Sequence, residues 1–254
     1  MDLNLFNKNA LITGSSKGIG LDIAKKLLSE GCNVVLNSRN EDDLKKIKSN
    51  YQQINYVSGD VTCEKSARKI LEKTINLVGS LDILICNVGS GKSVPAGSET
   101  LSDWEKSIAV NLYSAINIIQ ASKEFLAKSK GSIVCISSIC GHEIIEGAPL
   151  TYSVSKKALN FYIKGISKYL SKYDIRINGI SPGNILFEDS TWDIKMKINK
   201  KKVLNMIKKK VALNKFGTPD NISEEVTRME EKETIVLETN KSRITINIFY
   251  KNED

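Results

Sequence analysis

A tyrosine and a lysine four residues apart, Tyr152 and Lys156, could together carry acid–base chemistry. On a helix these two positions lie on one face, so the phenol and the ammonium would be neighbours. A free phenol ionises near pH ~10, and a cation close by favours the phenolate and lowers that pKa. A tyrosine tuned in this way can exchange a proton near neutral pH. Because tyrosine and lysine are also common on solvated helix faces, the pair acquires meaning only from the rest of the chain.

The length and composition of the chain are those expected of one cytoplasmic domain. Its 254 residues are 41% hydrophobic, enough for one sizeable core. No apolar run approaches the ~18 residues of a membrane span, and the first residues lack the pattern of a signal peptide. Five scattered cysteines form no C-x-x-C pair and no metal-ligand spacing with the single His142. They predict reduced thiols, a cytoplasmic location and no metal site.

Positive charge is concentrated in one segment. Residues 191–210 hold eight lysines and one aspartate, which is seven of the eight net positive charges of the chain. Aromatic residues are not interleaved with these lysines as a nucleic-acid stacking surface would need. We therefore predict neither a nucleic-acid nor a membrane partner, and a basic segment with a local role.

A glycine-rich turn follows the first apolar run. Residues 9–13 predict a buried strand, residues 14–20 read Gly-Ser-Ser-Lys-Gly-Ile-Gly, and residues 21–28 have helical periodicity. Strand, glycine turn and helix form the context of a dinucleotide fingerprint. Gly14 permits a tight turn, while Gly18 and Gly20 let the backbone approach a pyrophosphate at the start of the helix.

With Thr13, this turn has the spacing T-G-x-x-x-G-I-G and resembles the short-chain dehydrogenase/reductase family in its compact form. The resemblance implies an α/β fold: a Rossmann-like, doubly wound parallel sheet in three αβα layers, as a single domain over residues 1–254 with a small helical substrate lid. It covers about residues 5–222. The cofactor-binding positions that it implies are Gly14, Ser16, Lys17, Gly18, Ile19, Gly20, Arg39, Asp60, Val61, Asn87, Gly89, Tyr152, Lys156, Pro182, Gly183 and Ile185.

The end of the second strand bears on the choice of cofactor. A carboxylate there would hold the ribose 2′-hydroxyl of NAD, but the chain has Ser38-Arg39 after residues 33–37. Arg39 and Lys17 together suit the 2′-phosphate of NADP, which we predict. The acidic residues 41–43 follow closely and leave NAD open, and Arg39 could equally be a solvated loop residue.

Two further strand ends match the family. Asp60-Val61 corresponds to its adenine-bracketing pair, although Asp60 could instead cap the helix over residues 62–77. Residues 81–89 resemble L-D-I-L-V-N-N-A-G and match at Asn87 and Gly89, whereas Cys86 and Val88 depart from it.

The resemblance implies four catalytic residues. Asn111 would interrupt the long helix over residues 101–128 and hold a water for proton relay. Ser138, the second serine after the strand at 132–136, would bind the substrate oxygen, with Ser137 as the alternative. Tyr152 would be the acid or base, and Lys156 would lower its pKa and bind the nicotinamide ribose. His142 could contact the substrate, or it could simply be exposed to solvent.

The turn after the sixth strand at 174–180 resembles the family's nicotinamide-side motif at Pro182, Gly183 and Ile185, but Phe187 replaces a common threonine. Residues 186–214 correspond to the substrate-covering insertion. Its lysines suit a phosphorylated or carboxylate-bearing substrate, a nucleotide sugar or an acidic carrier protein, or else form a solvated face.

Residues 223–254 are atypical of the family. The family's last helix and strand are not expected there, and apolar runs at 234–238 and 244–249 predict a hairpin.

The predicted function is hydride transfer between NADP, or NAD, and a carbonyl or secondary alcohol. A 3-oxoacyl-carrier-protein reductase and a sugar or polyol dehydrogenase both fit, and a cofactor-binding regulator or scaffold without turnover is the alternative. The helix over residues 152–170 is apolar on more than one face, so one side is expected to pack on the sheet and the other on a second copy. We therefore predict a homodimer or homotetramer.

Overall fold

The computed structural model describes residues 4–211, 213–229 and 245–247, and shows one sheet covered by helices on both faces. The strands are β1 (Asn9–Thr13), β2 (Asn33–Ser38), β3 (Asn55–Ser58), β4 (Ile83–Cys86), β5 (Ser132–Ile136), β6 (Arg176–Ser181) and β7 (Thr245–Asn247). Their order is β3-β2-β1-β4-β5-β6-β7, with the first six parallel and β7 antiparallel to β6. The predicted Rossmann-like single domain is confirmed.

The helices connect the parallel strands. They are α1 (Gly18–Ser29), α2 (Glu41–Asn50), α3 (Glu64–Val78), α4 (Leu101–Ile108), α5 (Ser114–Ser129), α6 (Leu150–Leu170), α7 (Thr191–Lys210) and α8 (Pro219–Met229). A five-residue π-helical turn, Ala109–Tyr113, joins α4 to α5, and single 3₁₀ turns lie at Ile139–Gly141 and Ser171–Tyr173. Among the described residues, no helix is long and apolar enough to cross a membrane.

Side chains that point to opposite faces of the sheet at successive strand positions divide the core into two layers. In β1, Ala10 and Ile12 face the layer under α1 and α8, while Leu11 faces the layer under α3, α5 and α6. All three side chains are fully buried. A strand buried on both faces must be apolar at successive positions, which explains the continuous runs in the sequence. The sheet thereby gains a rigid carboxyl edge on which loops can carry the site.

The order of the strands creates a crevice at that edge. The chain winds from β1 outward to β3 and then returns to place β4 on the other side of β1. In open α/β sheets, ligands bind outside the carboxyl ends of the strands where the winding reverses. The loops after β1 and β4 flank this point.

The C-terminal region differs from the expectation. The helix that was not expected after Ile222 is present, because α8 continues to Met229. It packs on α1, where the Ser223 hydroxyl donates to Asp22 Oδ2 at 2.9 Å. Residues 245–247 pair antiparallel with β6. The other predicted hairpin strand, 234–238, lies outside the described residues.

Candidate active site

The start of α1 after the glycine turn has no capping side chain. Lys17, the N-cap of α1, has an extended backbone and no side-chain capping hydrogen bond. The first N–H groups of a helix have no partner within it. A Cβ on Gly20 would fall 2.4 Å from Asn87 Nδ2 and 2.7 Å from the Gly14 carbonyl oxygen, so only glycine fits there. These features suit the pyrophosphate of a dinucleotide.

Asn87 fastens the end of β4 to the glycine turn. Its Nδ2 donates to the carbonyl oxygens of Thr13 at 3.2 Å and Gly14 at 2.9 Å, and its backbone N–H donates to Thr13 Oγ1 at 3.1 Å. The two loops that flank the crevice therefore have a fixed relation to each other. Ser16 and Ile19 belong to the same turn and are partly exposed.

The two cations expected at the adenosine end are at the surface. Arg39 Nη1 lies 3.9 Å from Asp60 Oδ2, and Lys17 Nζ lies 3.8 Å from Asp189 Oδ2. Exposed pairs of this kind contribute only about 0–1 kcal/mol, so a phosphate could replace either carboxylate. Asp60 Oδ1 also accepts from the Thr62 N–H at 2.9 Å, but it does not cap the following helix, because α3 begins at Glu64 with Cys63 as its N-cap.

Val61 and Ile185 have structural contacts. Val61 is buried, and its carbonyl oxygen accepts from Asn117 Nδ2 at 3.1 Å. Ile185 forms a parallel β-bridge with Gly217, which holds the turn after β6. Pro182 and Gly183 precede it at the carboxyl end of that strand.

Tyr152 and Ser138 meet in the crevice. Burial raises the pKa of Tyr152 to about 12, and a hydrogen bond with the Ser138 side chain opposes that rise. Ser138 Oγ also accepts from the Cys140 N–H at 3.2 Å, which fixes the hydroxyl at the end of β5. Ser137 is turned elsewhere, since its Oγ donates to the Lys156 carbonyl oxygen at 3.5 Å. Of the two serines, Ser138 is therefore the partner of Tyr152.

Lys156 is deeply buried, with 2% of its surface exposed. Its Nζ donates to the Ile136 carbonyl oxygen at 2.8 Å and lies 6.0 Å from the centre of the Tyr152 ring. Burial lowers the pKa of Lys156 to about 8. The expectation that Lys156 depresses the pKa of Tyr152 was wrong for this structure, because burial outweighs the other influences on the phenol.

Asn111 sits in the π-helical turn, where an interruption of the helix was predicted. Its Oδ1 accepts from the Ser90 N–H at 2.9 Å, while its Nδ2 donates to the carbonyl oxygens of Ser90 at 3.1 Å and Ser107 at 3.0 Å. A Cβ on Gly89 would fall 3.0 Å from Lys156 Nζ and 3.2 Å from Asn111 Oδ1. Gly89 therefore leaves the space in which the amide and the ammonium converge.

His142 has a role that the sequence did not indicate. Its Nε2 is hydrogen-bonded to Ser181 Oγ at 2.9 Å and to Asn160 Nδ2 at 3.0 Å. It thus connects the loop after Ser138 with the end of β6 and with α6, one turn beyond Lys156. Burial, and secondarily the charge of Lys157, lower the pKa of His142. The three partners are far apart in sequence and form no motif, so only the fold brings them together.

The fold and these residues define a dinucleotide-binding α/β protein with a tyrosine, a serine, a lysine and an asparagine at the carboxyl edge of the sheet. The family model "short chain dehydrogenase" matches residues 8–195. The chain belongs to this family, whose members are oxidoreductases with a nicotinamide cofactor.

Several known oxidoreductases are similar to this chain in sequence or in structure. An uncharacterized oxidoreductase of Staphylococcus saprophyticus is 34% identical over 210 residues, covering 79% of this chain and 89% of its own. The 3-oxoacyl-[acyl-carrier-protein] reductase FabG of Aquifex aeolicus is 31% identical, with 88% and 90% covered. A gluconate 5-dehydrogenase of Burkholderia cenocepacia, solved with NADP and tartrate, has a TM-score of 0.80 at 25% identity, with 89% and 90% covered.

Proposed function

We propose that the protein reduces a carbonyl to an alcohol, or performs the reverse oxidation, with NADP as cofactor. The observation that carries this proposal is the proximity of the Tyr152 and Ser138 side chains in the crevice, beside buried Lys156. The pair offers a proton donor and a second hydroxyl to one substrate oxygen. The cofactor, when bound, supplies or accepts the hydride.

The cofactor would be held along the carboxyl edge of the sheet. The N-terminus of α1 would bind the pyrophosphate, and Arg39 and Lys17 would bind the 2′-phosphate. Asp60 and Val61 would border the adenine, while Asn87 and Gly89 would line the wall after β4. Lys156 and Tyr152 would face the nicotinamide ribose, and the turn at Pro182, Gly183 and Ile185 would border the nicotinamide.

Each catalytic side chain has one task in this proposal. Tyr152 keeps its proton at neutral pH, since its pKa is about 12, and delivers it to the carbonyl oxygen during reduction. Ser138 donates a hydrogen bond to the same oxygen as negative charge develops there. Lys156, whose Nζ lies 6.0 Å from the centre of the Tyr152 ring, would bind the nicotinamide ribose. Asn111 holds the water that returns a proton to this site.

The substrate is proposed to be anionic. Helix α7, with its kink at Asn199, carries the basic segment. Within the described residues no carboxylate lies within salt-bridge distance of Lys200, Lys201 or Lys208. These three lysines and two asparagines line a surface depression, composed of Lys200, Lys201, Leu204, Asn205, Lys208 and Asn214. A group of lysines beside a depression favours a ligand with phosphate or carboxylate groups.

NADPH oxidation followed at 340 nm tests the function. The substrates would be a 3-oxoacyl thioester of coenzyme A, a keto-gluconate and a neutral ketone of similar reactivity. We expect turnover with at least one anionic substrate, with a KM that rises as salt is added. Binding of NADPH without oxidation by any carbonyl in the panel would contradict the proposal and favour a regulator or scaffold.

Arg39→Ala tests the preference for NADP. We expect the Kd for NADPH to rise about 10-fold or more, as for loss of one charge-assisted hydrogen bond, with little change for NADH. Arg68→Ala is the matched control, because Arg68 is an exposed arginine paired with Glu64 on α3, away from the crevice. Equal losses for NADPH and NADH would contradict the assignment of Arg39 to the 2′-phosphate. Fluorescence titration of the reduced nicotinamide measures both constants.

The protein is further proposed to be a cytoplasmic homodimer or homotetramer. The outer face of α6 leaves three large apolar side chains more than 40% exposed, Val154 at 43%, Phe161 at 77% and Tyr169 at 43%, while Leu159 and Ile163 face the core. A second copy would cover that outer face.

All five cysteines lie within the described residues and none is in a disulfide, which agrees with the proposed cytoplasmic, reducing compartment.

A further inference from the structure

The turn between β6 and α7 lies against the glycine turn. A Cβ built on Gly18 would fall 2.4 Å from Cε2 and 2.7 Å from Cζ of Phe187, so the edge of this ring rests on the Gly18 backbone. Gly18 is the first residue of α1 and has a φ of +57°. The ring thus covers the helix terminus at which a pyrophosphate would be bound.

A second contact spans the same gap. Lys17 Nζ lies 3.8 Å from Asp189 Oδ2, and both side chains are largely exposed. Neighbouring residues of the glycine turn, 17 and 18, are therefore each in contact with a residue of the opposite turn. The contact at Gly18 is apolar and the contact at Lys17 is ionic, so they can be removed separately.

The covering turn is held at its ends. On one side, the Leu186 N–H donates to the Gly217 carbonyl oxygen at 2.9 Å. On the other side, Ser190 caps α7 by accepting from the Asp193 N–H at 3.1 Å. Between these points lie only residues 187–189, of which the last two are exposed. Within the turn, the Ser190 N–H donates to the Phe187 carbonyl oxygen at 3.0 Å, and the Asp189 N–H donates to Asp193 Oδ2 of α7 at 3.0 Å. These bonds hold the backbone, so the ring can leave Gly18 by rotation of the Phe187 side chain alone.

We propose that Phe187 sets the affinity for the cofactor, because its ring occupies part of the cofactor crevice and must rotate out as the cofactor binds. This inference rests on the proposed function. The apparent affinity is reduced by the fraction of molecules in which the crevice is covered. Asp189 adds a smaller effect, since it competes for Lys17 with the 2′-phosphate.

Two variants separate the contacts. Phe187→Ala is expected to tighten NADPH and NADH alike, about 5-fold or more, because the pyrophosphate is common to both. Asp189→Asn is expected to tighten NADPH about 2-fold to 5-fold and to leave NADH unchanged, since only NADPH has the phosphate that would meet Lys17. Phe6→Ala is the matched control: its ring rests in the same way on Gly31, beyond the other end of α1. It should leave both constants unchanged.

Kd values from nicotinamide fluorescence titration decide the matter without turnover. A Phe187→Ala protein that binds both cofactors with unchanged or weaker Kd would overturn the inference. If this variant does not fold, stopped-flow binding to the unaltered protein answers instead. The observed rate constant of binding should reach a plateau as the NADPH concentration increases if the Phe187 ring must first move away from Gly18. A rate constant that rises linearly over the whole concentration range would overturn the inference. An unaltered protein that binds neither cofactor would contradict the proposed function itself.

Discussion

Replacing Tyr152 by phenylalanine is expected to lower kcat about 10³-fold, within the range for loss of a general acid. In the proposed mechanism the phenol, which lies near Ser138, is the proton donor, and phenylalanine keeps the ring while it removes that proton. The Kd for NADPH should change less than about 2-fold. Steady-state kinetics and fluorescence titration measure the two quantities.

Tyr162→Phe is the matched control for this experiment. Tyr162 also lies on α6, and burial likewise raises its pKa to about 12, but its buried hydroxyl has no hydrogen-bond partner among the described residues. Its loss should leave kcat within about 3-fold. Comparable losses in both variants would mean that packing of α6, and not proton donation by Tyr152, limits turnover.

Replacing Lys156 by methionine is expected to reduce kcat about 10²-fold and to weaken cofactor binding, because the buried ammonium beside Gly89 and Asn111 is lost. The same change should stabilise the fold at neutral pH. The folded-state pKa of about 8 lies below the ordinary 10.5, so burial of the charged form opposes folding at every pH below 8. That penalty, about 3 kcal/mol, disappears as the pH rises from 8 toward 10.5.

The sign of the pH dependence makes this prediction specific. Between pH 8 and 10 the unfolded chain binds more protons at Lys156 than the folded chain, so the free energy of unfolding of the unaltered protein should rise relative to that of Lys156→Met. Tyr152, Tyr162 and Cys86 are present in both proteins, so their own titrations largely cancel in the difference. Lys164→Met, at an exposed lysine of α6, should show no such trend. A constant or falling difference in urea unfolding would contradict a buried ammonium at Lys156.

Local pattern was sufficient for most of the fold. Apolar residues at successive positions of β1 and β4 predict strands buried on both faces, and the glycine spacing after β1 places a dinucleotide turn. The interruption at Asn111 was predicted only through the family resemblance, because an amide inside an apolar helical pattern has no distinctive period.

Burial and long-range contacts could not be predicted. Spacing placed Lys156 near Tyr152 but gave no measure of solvent exposure, and exposure decides the direction of both pKa shifts. His142 meets Ser181 and Asn160 only because β5, β6 and α6 are packed together. The contact of the Phe187 ring with Gly18 depends in the same way on the position of β6 beside the crevice.

Deuterium transfer is the most direct test of carbonyl reduction at Tyr152. The protein would be incubated with NADPH doubly deuterated at C4 and with each carbonyl of the substrate panel, and the products analysed by mass spectrometry. We expect an alcohol with one deuterium on the carbinol carbon, formed by the unaltered protein and by Tyr162→Phe but reduced about 10³-fold in Tyr152→Phe. NADPH bound at micromolar Kd without any deuterated alcohol, or the same yield from Tyr152→Phe, would contradict the account.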